Sequence, residues 1–465
     1  MSALVNLAPD VRTYVAQLRV DPNFERALAA PDSDSRKMLA VSAMQSAEAT
    51  TAETLVPKLT ELQQQGLVQD FELVPLTGAV IINTPEANSA AAWDAIRGVS
   101  ELGRIVRNRE VTLDAELGAV VPAGGNGTVE PEYNVAKVNA PGAWEQGVRG
   151  AGITVGVIDT GIDPAHPALV DNYRGTQADG SFDHSYSFFD PINRRTEAYD
   201  DHGHGTHVAG TVAGGAADRI IGMAPDAQVI AAKAFDARGG GNTATILRAL
   251  SWMLAPTDAQ GKNPDPTKAP DIVNNSWGNS NGAFLGYLDT FRAFHAAGIV
   301  PVVSAGNSGR GDRPQTIGAP ASYKESIAVA ATDRDDVRAP FSSVGPSRVR
   351  GEDGQFIFKP DIAAPGVAVI SSMPGGSYRA MSGTSMAGPG AAGVAALLMS
   401  RYPNMTPEQV REALLTGAVD LGEPGPDHFY GHGRIDAVAA LEAADAMFRT
   451  PDEPTRPDPD AGSDT

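Results

Sequence analysis

The chain has 465 residues, of which 42% are hydrophobic, so it is long enough for two or three units with sizeable cores. Its formal net charge of −20 argues against nucleic acid and anionic membranes as partners, because both repel an acidic surface. It contains no cysteine, which excludes disulfides, a catalytic thiol and thiolate metal ligands. It also has no apolar run of about 18 residues to span a membrane.

The first ten residues, MSALVNLAPD, lack the basic start and the continuous apolar stretch of a secretory signal peptide. As written, the sequence therefore predicts a cytoplasmic chain. Export by another route and a different native start both stay open, and a chain without cysteine suits either side of a membrane.

Residues 1–112 are predicted to form a first unit of the α+β class. A helix is expected over 54–65, starting no earlier than Pro57 allows, because proline is tolerated only in the first turn of a helix. A further helical stretch is expected before it. The elements predicted after it are strands at 69–74 and 78–83, a helix at 87–98 and a strand at 103–111.

A stretch rich in Gly and Ala, residues 113–132, is predicted to be an exposed linker, where proteolytic cleavage concentrates. In the main unit, residues 133–447, strand-like runs alternate with helical runs. The predicted strands are 153–158, 228–234, 271–274, 299–304 and 326–331, and the predicted helices are 205–213, 243–254, 285–297, 384–401, 406–417 and 435–446. This alternation predicts an α/β fold with a mainly parallel sheet between helical layers. Residues 448–465, rich in Pro and Asp, are predicted to be a disordered tail.

Three short segments of the main unit carry an acid, a base and a nucleophile. Asp159 follows an apolar strand, so we expect it in the crevice at the carboxyl end of a parallel sheet. His204 precedes small residues that let a helix approach the sheet, and His is the usual base near neutral pH. Ser385 opens a helix whose N–H groups and dipole would face a developing oxyanion. The structural alternatives are a turn residue for Asp159 and an N-cap for Ser385.

Other segments offer an oxyanion donor and a surface that can bind peptides. Asn307, in a turn beside Gly306, is either the donor or a plain turn residue. The residues expected to pair with an extended substrate are Gly239, Gly240, Gly241, Ser276, Trp277 and Gly278. His202 and His207 flank the base, but zinc is disfavoured because the HExxH pattern is missing and no Cys or Glu lies at ligand spacing. We expect His207 to be a buried, hydrogen-bonded neighbour and His202 a surface residue.

The order Asp, His, Ser, with the segments VIDTG (157–161), HGTHVAG (204–210) and GTSMAGP (383–389), resembles the subtilase, or subtilisin-like, family over residues 133–440. The segments KAF (233–235), WMLAP (252–256) and VNNSWG (273–278) extend the resemblance. It implies a subtilisin-like three-layer sandwich and a serine endopeptidase that works through an acyl-enzyme. Asp159, His204 and Ser385 would be its triad, Asn307 its oxyanion-hole side chain, and the two peptide-pairing segments would hold the substrate between them.

Residues 50–112, with IVRNREV at 105–111, resemble the subtilase propeptide, a small α+β (ferredoxin-like) domain that acts as chaperone and inhibitor. The resemblance therefore implies a self-processing zymogen, and we expect cleavage between about residues 111 and 133. Its implied partners are protein or peptide substrates and the chain's own propeptide. The family is largely secreted, which leaves the compartment undecided.

The resemblance implies no cofactor for the chemistry. The family's calcium loop corresponds to residues 215–221 (GAADRII), which offer one carboxylate beside a cation, whereas calcium takes about six or more oxygens. Structural calcium thus has no clear motif, and no metal ligand is assigned. The family's Ser-Pro-His after the nucleophile reads Gly388, Pro389, Gly390 here. Two alternative functions stay open, namely an idle scaffold that binds peptides and an esterase or amidase for small molecules.

Overall fold

The computed structural model describes residues 11–113, 116–121, 129–216 and 219–449. Several predictions fall outside these residues: the signal-peptide test at 1–10, part of the linker at 114–115 and 122–128, Asp218 in the calcium comparison, and the tail from 450 onward. Within the described ranges, no helix is both long enough and apolar enough to cross a membrane.

The N-terminal unit is a four-stranded antiparallel sheet with helices. Its elements are β1 (Val11–Leu18), α1 (Glu25–Leu28), α2 (Ser33–Gln64), β2 (Asp70–Val74), β3 (Ala79–Pro85), α3 (Ser89–Arg97) and β4 (Leu102–Arg107). The strand order is β2-β3-β1-β4, and each neighbouring pair is antiparallel. With its βαββαβ succession this is the ferredoxin-like arrangement, so the predicted small α+β unit is confirmed.

The predicted start of the helix at residue 54 was wrong. Helix α2 begins at Ser33, where the side chain of Asp32 accepts a hydrogen bond from the N–H of Ser35, and Pro57 lies in its interior. The helix packs against the main unit through Ala40, Val41 and Met44, and against its own unit through Leu55 and Leu59. This burial offsets the cost of an interior proline, about 3 kcal/mol.

The strand predicted at 103–111 divides in two, and β1 was missed. After β4, the side chain of Asn108 accepts a hydrogen bond from the N–H of Ala244, and the chain leaves the sheet. β1 is central and buried on both faces, with Tyr14 packed on one side and Val15 on the other. Its sequence therefore lacks the alternation by which a half-buried strand is found.

From residue 110 onward the elements are β5 (Glu110–Thr112), β6 (Glu116–Val121), α4 (Tyr133–Lys137), α5 (Ala140–Glu145), β7 (Thr154–Asp159), β8 (Phe188–Phe189), α6 (His204–Ala213), β9 (Gly215–Ala216), β10 (Arg219–Ile220), β11 (Gln228–Lys233), β12 (Gly240–Asn242), α7 (Thr243–Leu254), β13 (Ile272–Asn275), α8 (Leu288–Ala296), β14 (Val300–Ser304), β15 (Ile327–Thr332), β16 (Ile362–Pro365), β17 (Val369–Met373), β18 (Ser377–Ser382), α9 (Thr384–Arg401), α10 (Pro407–Thr416) and α11 (Ala437–Phe448). The five predicted strands of the main unit correspond to β7, β11, β13, β14 and β15.

The main unit is built on a seven-stranded sheet of order β16-β15-β14-β13-β7-β11-β8, and its neighbouring strands are parallel. Val157 and Val302 face a layer that contains α6 and α9, while Ile158 and Val303 face α7 and α8. Successive residues of a strand point to opposite faces, so these strands are apolar throughout. The predicted three-layer α/β sandwich is confirmed.

The N-terminal unit packs against the layer formed by α7 and α8. Val15 and Ile81 of its sheet join the same apolar cluster as Leu247 and Phe291 of these helices. Lys37 of α2 is buried in the contact, where its Nζ donates to the carbonyl of Ala269 and to Oδ1 of Asp271, both at 2.9 Å. The two units therefore share one continuous apolar core and a buried polar contact.

Candidate active site

The predicted functional residues gather at the carboxyl edge of the parallel sheet. Asp159 is the last residue of β7, Ser276 follows β13, and Asn307 follows β14. From β7 the chain goes on to β8 and β11 on one side and later to β13 on the other. Such a reversal of direction opens a crevice beyond the strand ends, and ligands of open α/β sheets bind there.

Asp159 and His204 are both fully buried and form a hydrogen-bonded pair. Nδ1 of His204 lies 2.8 Å from Oδ1 and 2.9 Å from Oδ2 of Asp159. Burial lowers the pKa of His204, but the charge of Asp159 and this hydrogen bond outweigh it, so the pKa is raised. Because Nδ1–H donates to the carboxylate, Nε2 is the ring nitrogen that can accept a proton.

Asp200 connects the strand end to the helix that carries His204. Its carboxylate accepts hydrogen bonds of 2.7 to 3.0 Å from the N–H groups of His202, Gly203 and Thr206 and from the hydroxyls of Thr160 and Thr206. The hydroxyl of Thr160 in turn accepts a bond of 2.8 Å from the N–H of Gly205. Burial raises the pKa of Asp200, but these hydrogen bonds prevail and lower it. Sequence reasoning missed Asp200, although an acid just before a helix start is a recognisable signal.

Ser385 is the second residue of α9, and the N-cap is Gly383. The Oγ of Ser385 donates to the carbonyl of Ser276 at 3.1 Å, and the carbonyl of Ser385 accepts from the Oγ of Ser276 at 2.9 Å. In an unbroken helix that carbonyl would bond to the N–H of residue 389, which is proline and has none. Ser276 therefore replaces the missing helical hydrogen bond and fixes the turn that carries Ser385.

The structure joins Asp159 to His204 but does not join His204 to Ser385. Nε2 of His204 is buried and has no hydrogen-bond partner among the described residues. Helices α6 and α9, which carry His204 and Ser385 in their first turns, pack against each other. The two side chains thus start from neighbouring helix ends, with the hydroxyl of Ser385 turned to Ser276.

Asn307 is oriented by the residue that precedes Ser385. Its Oδ1 accepts hydrogen bonds from the N–H and the Oγ1 of Thr384, at 3.0 and 2.9 Å. Because the amide oxygen of Asn307 makes both bonds to Thr384, the amide NH2 group is the part that remains to act as a donor. Asn307, Thr384 and Ser385 line one pocket, which is the placement an oxyanion donor requires.

That pocket is also lined by Ser276, Trp277, Gly278, Thr112 and Leu113. The indole of Trp277 is 3% exposed and packs against Phe235 and Tyr287, with ring centroids 6.3 and 5.4 Å away. Trp277 therefore anchors its segment in the core.

The glycine segment 239–241 is occupied by the chain itself. β12 pairs antiparallel with β5, so that Gly240 lies opposite Thr112 and Gly241 opposite Val111. The N–H of Leu113 donates to the carbonyl of Gly239 at 3.0 Å. A Cβ at Gly241 would lie 2.6 Å from the carbonyl oxygen of Ala234, so a side chain there would collide with the backbone. β12, the strand expected to pair with a substrate peptide, is therefore already paired with β5 of the same chain.

The two flanking histidines differ from each other. His207 is buried, and its Nε2 bonds to the carbonyls of Val369 and Arg379 at 3.1 and 3.0 Å, which confirms the structural role expected for it. His202 is half-buried rather than exposed, and its Nδ1 accepts a hydrogen bond of 3.3 Å from the N–H of His204. Among the described residues, no group of three or more His, Cys, Asp or Glu side chains is placed to hold a metal ion.

Comparison with known proteins agrees with this geometry. Residues 150–433 match the model of the subtilase family. Bacillopeptidase F of Bacillus subtilis (strain 168) is 42% identical over 323 residues, which cover 67% of this chain and 22% of that protein. Subtilisin NAT of Bacillus subtilis subsp. natto is 36% identical over 312 residues, or 67% of this chain and 71% of that protein. The serine protease AprX of Bacillus subtilis (strain 168) is 37% identical over 324 residues, or 63% and 66% of the two chains.

The present chain thus spans well under two thirds of bacillopeptidase F, although it spans more than two thirds of subtilisin NAT. The family match itself extends over more than half of the chain and includes the segments that carry Asp159, His204, Asn307 and Ser385. The chain therefore belongs to the subtilase family, whose members are serine endopeptidases.

Proposed function

We propose that this chain is a serine endopeptidase made as a self-processing zymogen, with Asp159, His204 and Ser385 as its triad. The observation that carries the proposal is the buried, hydrogen-bonded pair of Asp159 and His204 at the carboxyl edge of the sheet. At this edge, Ser385 lines a pocket together with Thr112 of β5, the strand that pairs with β12. The comparisons support it through family membership. Its substrates are protein or peptide segments in extended conformation.

In the proposed reaction, Nε2 of His204 takes the proton of the Ser385 hydroxyl as Oγ attacks the carbonyl carbon of the peptide bond. Asp159 holds the Nδ1–H tautomer and stabilises the imidazolium. The tetrahedral oxyanion accepts hydrogen bonds from the amide nitrogen of Asn307 and the N–H of Ser385. His204 then gives its proton to the leaving amine, and water hydrolyses the acyl-enzyme by the same steps in reverse. Before attack, Oγ turns from the carbonyl of Ser276 toward His204, since catalytic hydrogen bonds often form only with substrate bound.

The zymogen proposal rests on the course of the chain past Ser385. β5 pairs with β12 on one side of the pocket, and β6 pairs with β18, which leads directly into Gly383, Thr384 and Ser385. Residues 113–115 lie between the two strands in the sequence. We therefore propose that maturation cuts between Leu113 and Glu116, inside the range expected from the sequence, and that the released N-terminal unit acts as the inhibitor.

Replacement of the nucleophile tests both parts of the proposal. We expect Ser385→Ala to accumulate as the uncut chain of 48.3 kDa and to lose peptidase activity by about 10⁶-fold. N-terminal sequencing of the processed wild type should read a start between residues 114 and 116. The measurements are mass, N-terminal sequence and peptide hydrolysis. Turnover of the variant above about one per cent of wild type would overturn the triad.

The two alternatives gain no support from the site. A scaffold without catalysis would have no use for a buried carboxylate paired to a histidine whose other nitrogen has no hydrogen-bond partner among the described residues. An esterase for small molecules would not need β12, an edge that already pairs with an extended main chain. Labelling of Ser385 by a serine-directed probe would distinguish an endopeptidase from a scaffold without catalysis. Comparing the hydrolysis of a long peptide with that of a small ester would distinguish an endopeptidase from an esterase.

A further inference from the structure

A fully buried lysine lies beside the site and has no part in the reaction proposed above. Lys233 is the last residue of β11 and pairs in parallel register with Asp159, the last residue of β7. Its side chain is 0% exposed. A buried ammonium group is costly unless each of its N–H groups has an acceptor. The acceptors that hold Lys233 therefore indicate what it does.

The ammonium of Lys233 has three N–H groups, and three segments of the chain supply one acceptor each. Its Nζ donates to the carbonyl of Thr160 at 2.7 Å and to the carbonyl of Phe235 at 3.0 Å, and it forms an ion pair with Asp201. It also lies 5.0 Å from the centre of the Tyr199 ring. Lys233 thus joins the end of β7 to the segment that precedes α6 and to the turn after β11.

Thr160 is the residue through which this contact reaches the triad. Its N–H, at the other end of the residue from the carbonyl that Lys233 holds, donates to Oδ1 of Asp159 at 2.8 Å. The hydroxyl of Thr160 donates to Asp200 at 2.9 Å and accepts from the N–H of Gly205 at 2.8 Å. All three polar groups of Thr160 are therefore fixed, and one of them orients the carboxylate of the triad.

We propose that Lys233 is a positioning residue of the catalytic site, which acts on Asp159 through Thr160. The ammonium fixes the carbonyl of Thr160, this residue presents its N–H to Asp159, and the carboxylate keeps the direction that it needs toward His204. The inference rests on the proposed function, in which Asp159 holds the imidazole of His204, and adds a residue that the proposed reaction does not include.

The charge of Lys233 suits this place as well as its hydrogen bonds do. The carboxylates of Asp159 and Asp200 both bond to Thr160, and that of Asp201 bonds to Lys233 itself, so three acidic groups gather around the ammonium and its partner. Carboxylates at short range repel one another, and a cation among them offsets this repulsion. A neutral donor could satisfy the carbonyls but would leave the negative charges unopposed. The position therefore favours a cation over a neutral hydrogen-bond donor.

The test replaces Lys233 by Met, which removes the ammonium and keeps an unbranched side chain. It uses the full chain after self-processing, a nitroanilide peptide as substrate, and a serine-directed probe to count the active sites. We expect kcat of Lys233→Met to fall by about 10- to 100-fold and KM to change by less than about twofold, because a small misplacement of a catalytic group slows the chemical step without weakening substrate binding.

Lys359→Met is the matched control. Lys359 is also fully buried, and its Nζ likewise bonds to a backbone carbonyl, that of Ser326, and to a carboxylate, that of Asp361, both at 2.6 Å. These residues lie just before β15 and β16, at the edge of the parallel sheet opposite to the site. The control variant should therefore lose stability but keep the kcat of the wild type.

If Lys233→Met does not fold, Asp201→Ala takes its place. Asp201 is 39% exposed, and its loss leaves Lys233 with both carbonyl acceptors, so this variant should fold. Because Lys233 then holds Thr160 less firmly, kcat should fall about three- to tenfold with KM unchanged. An unchanged kcat in Asp201→Ala would overturn the proposal.

A second background separates positioning from a general loss of structure. In Asp159→Asn the hydrogen bond to His204 is already impaired, so adding Lys233→Met should cost less than about threefold, because residues that act as one unit do not have additive effects. A loss by the same factor in both backgrounds overturns the proposal, and so does a loss of kcat no larger than in Lys359→Met. An Asp159→Asn enzyme as active as the wild type would instead mean that the proposed triad is wrong.

Discussion

At the scale of single residues, His204 is subject to two opposing influences. Burial favours its neutral form, while the carboxylate of Asp159 favours the charged form and prevails, so its pKa lies above the ordinary value of 6.5. His204 must be neutral to take the proton of Ser385. Activity should therefore be lost as the pH falls through this raised pKa.

We expect the acid limb of kcat/KM against pH to lie above pH 6.5 in the wild type. Asp159→Asn removes the charge that raises the pKa of His204, so the acid limb should move to lower pH. The rate should also fall by about 10⁴. The measurement is a pH–rate profile with a nitroanilide peptide. Acid limbs at the same pH in the two enzymes would contradict the role of Asp159.

Replacing Asn307 tests whether this residue stabilises the transition state or only helps to bind the substrate. Its amide oxygen is held by Thr384, and in the proposed mechanism its nitrogen donates to the oxyanion, which exists only in the transition state. We expect Asn307→Ala to lower kcat by about 10² to 10³ and to leave KM nearly unchanged. Steady-state kinetics with one peptide decide the matter. A loss confined to KM would make Asn307 a turn residue only.

At the scale of elements, His207 connects α6 to the hairpin of β17 and β18. Its Nε2 bonds to one carbonyl in each strand, and the hydroxyl of Ser371 donates to the carbonyl of His207 at 2.8 Å. Burial and the nearby charge of His204 lower the pKa of His207 to about 3. The hairpin ends three residues before Ser385, so this contact supports the catalytic turn.

The lowered pKa of His207 predicts acid sensitivity. Between the ordinary value of 6.5 and about 3, the unfolded chain binds a proton at this position and the folded chain does not. The contribution of His207 to stability is therefore present above pH 6.5 and is lost as the pH falls toward 3. In a Ser385→Ala background, which prevents autolysis, His207→Gln should show a weaker fall of the denaturation midpoint between pH 6.5 and 4. Equal pH dependence in parent and variant would contradict this.

At the scale of the whole molecule, the N-terminal unit has a small core of its own and a second face that completes the core of the main unit. A parallel sheet gains most of its contacts late in folding, because its strands are distant in sequence. A preformed surface against α7 and α8 would organise it early. The same unit continues into β5, which lines the pocket, so one contact would serve both the chaperone and the inhibitor role proposed for it.

We expect the separated N-terminal unit to inhibit the processed enzyme, and the main unit expressed alone to refold more slowly. Lys37→Met should weaken inhibition at least tenfold, because Asp271 then loses a partner in a buried contact. Lys58→Met is the control, since Lys58 is exposed and pairs with Glu101 inside its own unit. The measurements are inhibition constants and refolding rates. Equal inhibition by both variants, or unchanged refolding of the main unit alone, would contradict this role.

Some features of this fold could be read from local sequence alone. Helices α7 and α9 have the predicted bounds, Thr406 caps α10 as expected, and the central strands lie where the apolar runs are. These features depend on periodicity and capping within a few residues of chain. The triad candidates stood out for the same reason, because Asp159 ends β7, His204 begins α6 and Ser385 lies in the first turn of α9.

Other features depend on partners that are distant in the sequence. Pro57 inside α2, the break after β4 and the missed β1 all reflect packing against the main unit or burial on both faces. The bond that Ser276 makes to the carbonyl left open by Pro389 joins two segments more than a hundred residues apart. Periodicity carries no information about such partners.

By itself, then, the sequence determined the class of the fold, the positions of five of the seven strands of the main sheet and the residues expected at the site. The tertiary structure alone decided that Asp159 and His204 meet, that Asp200 holds their helix, and that β5 and β6 pair on opposite flanks of Ser385. The physical reason is that strand pairing and side-chain contacts across the sheet edge depend on which surfaces fold together, whereas helix and strand formation depends on neighbouring residues.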